Sequence, residues 1–168
     1  MTSFGTRASG PYLLYEVGPA NDEVSGGVFA FDVSSVFQVI EPGVASPVPL
    51  APDVVLGIIN HHGRIVTLVD PAPLLGLAPQ ARPAAHAVIL RQGARGPVNL
   101  GLQVSRIQGI VPRTELIEVE VQPRPCVAWV ARAGRRLIHV VAVEPLLERL
   151  VRLFGTNDSR DGLQGVTV

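Results

Sequence analysis

Two short apolar runs, Val54–Ile59 and Ile65–Val69, flank the turn Asn60-His61-His62-Gly63. Both are rich in Val and Ile, whose branched side chains lose rotamer freedom in a helix and suit a pleated surface. With an Asn-to-Gly turn between them they predict a β-hairpin. A Pro-rich lead from Pro47 precedes the hairpin, and Asp70-Pro71 with Leu74, Leu75 and Leu77 closes it. The phrase then returns: Gly134-Arg135-Arg136-Leu137-Ile138-His139-Val140-Val141-Ala142-Val143-Glu144-Pro145-Leu146-Leu147 matches the stretch from Gly63 to Leu75 once one arginine is skipped. A copy in each half implies two similar β units facing each other across a common core or groove.

Similar runs recur along the rest of the chain. Tyr12–Val17 reads as a first strand, followed by the polar loop Gly18–Gly27. The segment Phe29–Ile40 alternates over Phe29, Phe31 and Val33, then breaks at Ser34-Ser35 into a bend or a new strand. Further strands are expected at Ala87–Arg91, Val98–Val104, Ile107–Val111, Leu116–Val121, Val127–Ala131 and Leu137–Val143, with a glycine turn at Gly93–Gly96. Alternation is clearest in Val98, Leu100, Leu102 and Val104. One helix is expected, Glu144–Phe154, where Leu146, Leu147, Leu150, Val151 and Phe154 share a face and Pro145 suits the first turn. Residues 1–10 and 155–168 lack periodicity and read as a disordered lead and a flexible tail around one domain, 11–154. The Pro- and Ala-rich stretch 78–85 is the expected boundary between its two subdomains.

Composition narrows the class. The chain has 168 residues, 47% of them hydrophobic, with 17 glycines and 15 prolines, a balance that fits many turns between short strands. Fourteen basic residues, all arginine, cancel fourteen acidic ones. A protein that neutralises nucleic-acid phosphates needs a basic footprint, so no nucleic-acid partner is expected. No window reaches the roughly 18 apolar residues of a membrane span, and the first residues lack the apolar centre of a signal peptide, so a cytoplasmic protein without membrane insertion is expected. The single cysteine, Cys126, has apolar neighbours and reads as a buried thiol in a strand, with no disulfide.

The candidate chemistry is sparse. His61 and His62 are adjacent, and neighbouring residues of a strand point to opposite faces, so they read as turn and surface residues; no metal site is expected. Ser34 and Ser35 lack the small-residue elbow of a serine nucleophile. Glu115, Glu118 and Glu120 alternate with Leu116, Ile117 and Val119 and read as the solvated face of an edge strand. The residues support no catalytic site, no enzyme activity and no cofactor. A small metal-dependent or ligand-binding β-barrel enzyme stands only as an alternative of another class.

The order of these segments carries a resemblance. PVPLAPDVVLGIINHHGRIVTLVDPAPLLGL, FAFDVSSVFQVI, NLGLQVSRIQGIV and the stretch Cys126–Leu150 together resemble CheW-like domains over about Tyr12 to Phe154. The resemblance implies a mainly β fold: two SH3-like five-stranded barrels around a shared hydrophobic core, with a short C-terminal helix. It implies a non-enzymatic adaptor that joins the cytoplasmic tip of a methyl-accepting chemoreceptor to the regulatory domain of a CheA-type histidine kinase, with recruitment to receptor clusters. An accessory relative that binds receptor without engaging the kinase is the alternative. Carried onto this chain, the receptor groove falls on Val36, Gln38, His62, Ala87 and Ile107, beside the turn Asn60, His61, Gly63 and Arg64. The chain departs from the family pattern at His62, where an arginine is expected, at Thr67 in place of a proline, and at Ser105 in place of an aspartate. Histidine is a weaker and pH-dependent substitute for an arginine fork.

Overall fold

In a computed structural model, the described residues are 9–18, 27–80, 84–91, 96–122 and 124–157. The valine-rich runs form eleven strands: β1 Tyr12–Val17, β2 Gly27–Asp32, β3 Val36–Ile40, β4 Val55–His61, β5 Arg64–Val69, β6 His86–Arg91, β7 Pro97–Val104, β8 Arg106–Val111, β9 Ile117–Val119, β10 Val127–Ala133 and β11 Arg136–Val141. A helix, α1, spans Val143–Asn157. The Ser-Ser break is a 3₁₀ turn, Val33–Ser35, capped by the Asp32 carboxylate, which accepts from the Ser34 amide. Residues 1–8 and 158–168, most of the expected lead and tail, lie outside the described residues, as do 19–26 of the first loop and 92–95 of the glycine turn. Residues 155–157 continue the helix.

The strands form a six-stranded sheet, β8-β1-β2-β11-β10-β9, and a five-stranded sheet, β3-β6-β7-β5-β4. This is the mainly β, paired SH3-like architecture expected from the sequence, with one extra short strand, β9, beyond five plus five. The five-stranded sheet closes on itself where Ser46, beyond β3, bridges Ile58 of β4. In the six-stranded sheet the matching place is taken by β9, whose Val119 pairs with Val130 of β10. Glu118 on this edge strand is exposed, as the sequence pattern implied.

The two sheets share one pairing scheme. Parallel pairing joins β5 to β7, with Leu68 opposite Gly101, and β11 to β2, with Val140 opposite Ala30. In the antiparallel edges, Val36 of β3 lies opposite Leu90 of β6, and Ile107 of β8 lies opposite Tyr15 of β1; a bulge follows in both. Thus β1-β2-β3-β4-β5 and β6-β7-β8-β10-β11 are two copies of one five-stranded unit, and Val36 corresponds to Ile107. The stretch 78–85 separates the copies in sequence, but it does not separate the barrels. Each copy gives its first two strands to one barrel and its remaining strands to the other. The expected subdomain boundary is corrected accordingly: the chain changes sheets at Val33–Ser35 and at Ser105, because β1 and β2 find their partners in β8 and β11.

Alternation along the strands then fills three cores. One face of each inner strand points between the sheets, giving a core that includes Leu13, Tyr15, Phe29, Phe31, Val88, Leu90, Leu102, Val104, Leu146 and Leu150. The opposite faces fill the barrel interiors, with Tyr12, Leu14, Ala30, Ile138 and Val140 in one and Ile40, Ile59, Val66, Leu68, Ala87 and Ile89 in the other. Both faces of the inner strands are therefore dry, which explains their near-continuous apolar runs. Gly57 sits where φ is +141° and an added Cβ would lie 2.5 Å from the Ser46 carbonyl oxygen, so the closing bridge requires glycine there.

A buried polar clip holds the joint between the copies. The Asp70 carboxylate, 3% exposed, accepts from the Ala72 amide (2.9 Å), the Gln80 amide (2.8 Å) and Gln80 Nε2 (2.8 Å). Gln80 Nε2 also donates to the Gln103 carbonyl, and Gln80 Oε1 accepts from the Gly18 amide of the other barrel. Three donors offset the cost of burying the carboxylate. Cys126 departs from its expected place: it is half-buried in the turn before β10 with φ +61°, its thiol 3.6 Å from the Leu74 carbonyl. Burial pushes that thiol up, and Arg149 partly opposes the rise.

His139 gives the fold a pH dependence. Its ring is tilted against Phe29 at 5.4 Å, and its buried Nδ1 has no hydrogen-bond partner among the described residues. Burial, followed by the charge of Arg124, lowers its pKa below the ordinary 6.5. The folded state thus favours the neutral ring, and the stability this contributes is full above about pH 6.5 and lost as pH falls toward the lower folded value. Thermal melts from pH 7.5 to 5.5 are expected to show a falling midpoint. The slope should be shallower in His139→Thr, the residue that the corresponding position, Thr67, carries; equal slopes would assign the dependence to other groups.

Candidate functional site

Of the residues singled out from the sequence, Val36 and Ile107 lie at the margin of the inter-sheet core, and His61 of the β4–β5 hairpin bonds to Gln38 two residues along from Val36. Val36 opens β3 and Ile107 lies in β8; both are half-buried and pack against that core, together with Val33, Val39 and Val98. They are corresponding residues of the two copies, so each barrel contributes one half-buried apolar side chain packed against the shared core. Gln38 is exposed two residues further along β3. Ala87 is fully buried inside the five-stranded barrel, opposite Ile40. Alternation on β6 turns Val88 and Leu90 toward the inter-sheet core and Ala87 away from it, so a partner cannot touch its side chain.

The β4–β5 turn forms one wall beside this margin. The Asn60 side-chain oxygen accepts from the Gly63 amide at 2.9 Å, and His62 and Gly63 both take positive φ, +50° and +79°. His62 is a non-glycine residue in the left-handed region, which sets its ring outward; it is exposed. His61, the last residue of β4, hydrogen-bonds with Gln38 Oε1 at 3.2 Å, and the two imidazoles meet edge to face at 4.3 Å. Arg64 turns away, donating to Asn99 Oδ1 (2.7 Å) and the Pro97 carbonyl (3.3 Å) of β7. Among the described residues no group of three or more His, Cys, Asp or Glu is placed to hold a metal ion.

Sequence reasoning missed the opposite wall. There the β10–β11 turn places Arg136 against β8, donating to Gln108 Oε1 at 3.3 Å, while Gln108 Nε2 donates to the Glu16 carboxylate. Ser105, at the chain's crossing between sheets, donates through its amide and its hydroxyl to the Glu16 carbonyl. The internal repeat carried the signal, since it aligns Gly134-Arg135-Arg136 with Gly63-Arg64. Two further residues were unmarked: Phe37, exposed on β3 with the Arg91 guanidinium 5.6 Å from its ring centre, and Trp129, under the Arg113 guanidinium at 4.5 Å.

The architecture is thus a pair of barrels packed on one core, with hydrogen-bonded turns beside its apolar margin. A family model for the CheW-like domain matches residues 20–151, and the chain belongs to that family. Among curated proteins it is 32% identical over 93 residues to the chemotaxis protein CheW of Thermotoga maritima, covering 55% of this chain and 60% of that protein. It is also 32% identical over 97 residues to a probable chemotaxis protein CheW of Rhizobium etli, covering 58% of this chain and 59% of that one. These matches span about three-fifths of the relatives' length. Among solved structures, the scaffolding protein TtCheW of Thermoanaerobacter tengcongensis shares the fold with a TM-score of 0.65 at 17% identity, over 84% of this chain and 94% of that one. No helix among the described residues is long and apolar enough to cross a membrane.

Proposed function

We propose that this chain is a non-enzymatic adaptor of a bacterial chemosensory pathway, coupling the cytoplasmic tip of a methyl-accepting chemoreceptor to the regulatory domain of a CheA-type histidine kinase. The observation that carries the reading is the placement of Val36 and Ile107, one from each barrel, on the margin of a single core in a CheW-like domain. A helical receptor tip would lay an apolar ridge along that margin, as amphipathic helices do in hydrophobic grooves, with the turn Asn60–Arg64 beside it. The site would work in the cytoplasm at receptor clusters and needs no cofactor.

His62 favours one second reading. An exposed imidazole stands where the family pattern has an arginine fork, so the chain would bind receptor without engaging the kinase. Sedimentation of receptor-bearing membranes with a CheA-type kinase separates the two. A coupler is expected to carry the kinase into the pellet and raise its autophosphorylation. Receptor binding without kinase recruitment would assign the accessory role, and absence of receptor binding would remove both.

A further inference from the structure

The two walls of the margin come from corresponding hairpins, β4–β5 and β10–β11, though from residues that do not correspond, and they differ in charge. Each pairs a residue at its hairpin turn with a glutamine on the neighbouring edge strand: His61 with Gln38 on one side, Arg136 with Gln108 on the other. Each also follows its turn with an exposed apolar residue, Ile65 at 55% and Leu137 at 46%. A groove built this evenly would accept a two-helix hairpin in either of two orientations, because such a hairpin presents similar ridges on its two arms. Something must break the tie. On the first wall the single turn arginine, Arg64, points toward β7 and donates through one nitrogen to Asn99 and Pro97, so imidazoles and an amide face Gln38. On the second, Arg135 and Arg136 are both exposed, and among the described residues the Arg136 guanidinium donates to a neutral amide oxygen, that of Gln108, whose Nε2 donates to the Glu16 carboxylate. Neither guanidinium is paired with an acid among the described residues, so their remaining donors stay available to a carboxylate.

We infer that Arg135 and Arg136 form the anion-reading wall of the groove and fix the orientation of the bound receptor tip by engaging a carboxylate beside its bend. The inference rests on the proposed receptor groove and adds the chemistry of the partner. Specificity of this kind comes from complementary charge at the rim, while apolar contacts supply most of the affinity.

The test uses the full chain and a chemoreceptor cytoplasmic hairpin fragment, titrated at low and high NaCl. Arg135→Glu/Arg136→Glu is expected to weaken binding about tenfold or more at low salt, with the gap closing as salt rises. A Glu→Lys change at one position near the fragment's bend is expected to restore it. Both arginines are exposed, so the fold should survive, as an unchanged melt would verify. Affinity within twofold of the unaltered chain, with the same salt slope, would overturn the inference. Val36→Asp separates this from the reading beneath it: loss of binding there with normal binding in the arginine variant overturns only the charged wall. Failure of the unaltered chain to bind the fragment overturns both.

Discussion

Val36→Asp and Ile107→Asp are each expected to weaken receptor-fragment binding by about 100-fold or more, roughly 2.8 kcal/mol. Both side chains sit half-buried on the margin of the inter-sheet core, where an occupant would exclude water. A carboxylate there would be desolvated by binding, which costs more than the lost apolar contact alone. Because the two residues correspond in the repeat, their effects should be of similar size despite lying in different barrels. His62→Asp provides a milder variant: the position is exposed, its ring meets only the neighbouring His61 ring among the described aromatic contacts, and Asp tolerates its positive φ. A smaller loss, about tenfold, is expected from it, because the occupant would strip water from the new carboxylate beside the margin.

Division of the chain between Gln80 and Ala84 is expected to give two fragments that do not fold alone but recombine one to one. Residues 1–80 hold β1 and β2 without β8 and β11, and β3 to β5 without β6 and β7. Alone, this fragment would expose both halves of the inter-sheet core, Phe29 and Phe31 among them, and lose both parallel pairings. Circular dichroism of each fragment should show no cooperative melt, while the mixture recovers the strand signal and a single transition. A stable fold in either fragment would contradict the exchange of strands between barrels.

Much of this architecture was legible because alternation and turn chemistry act locally. The Asn60-to-Gly63 turn, the Ser34-Ser35 break and the one-sided run of Leu100, Leu102 and Val104 all read correctly from neighbours in sequence. The exchange of strands was not legible, since the copies differ in sequence from the barrels only through which long-range partners β1 and β2 choose. Ala87 was misplaced for a related reason: with both faces of β6 apolar, periodicity alone cannot say which face meets the neighbouring barrel and which the barrel's own interior. Cys126 fell outside its strand because it takes a positive φ in the turn after Pro125, and β10 begins only at Val127. The basic wall was present in the sequence as Arg135-Arg136, but its place beside Ile107 depends on the hydrogen bond from Arg136 to Gln108 across the barrel seam.

One titration tests the groove most directly: the unaltered chain, Val36→Asp and Ile107→Asp against a chemoreceptor cytoplasmic hairpin fragment, each protein first checked for an unchanged far-ultraviolet spectrum and melting transition. The expected result is saturable binding by the unaltered chain and its near loss in both variants. Undiminished binding by both folded variants would contradict a receptor site at the margin between the barrels.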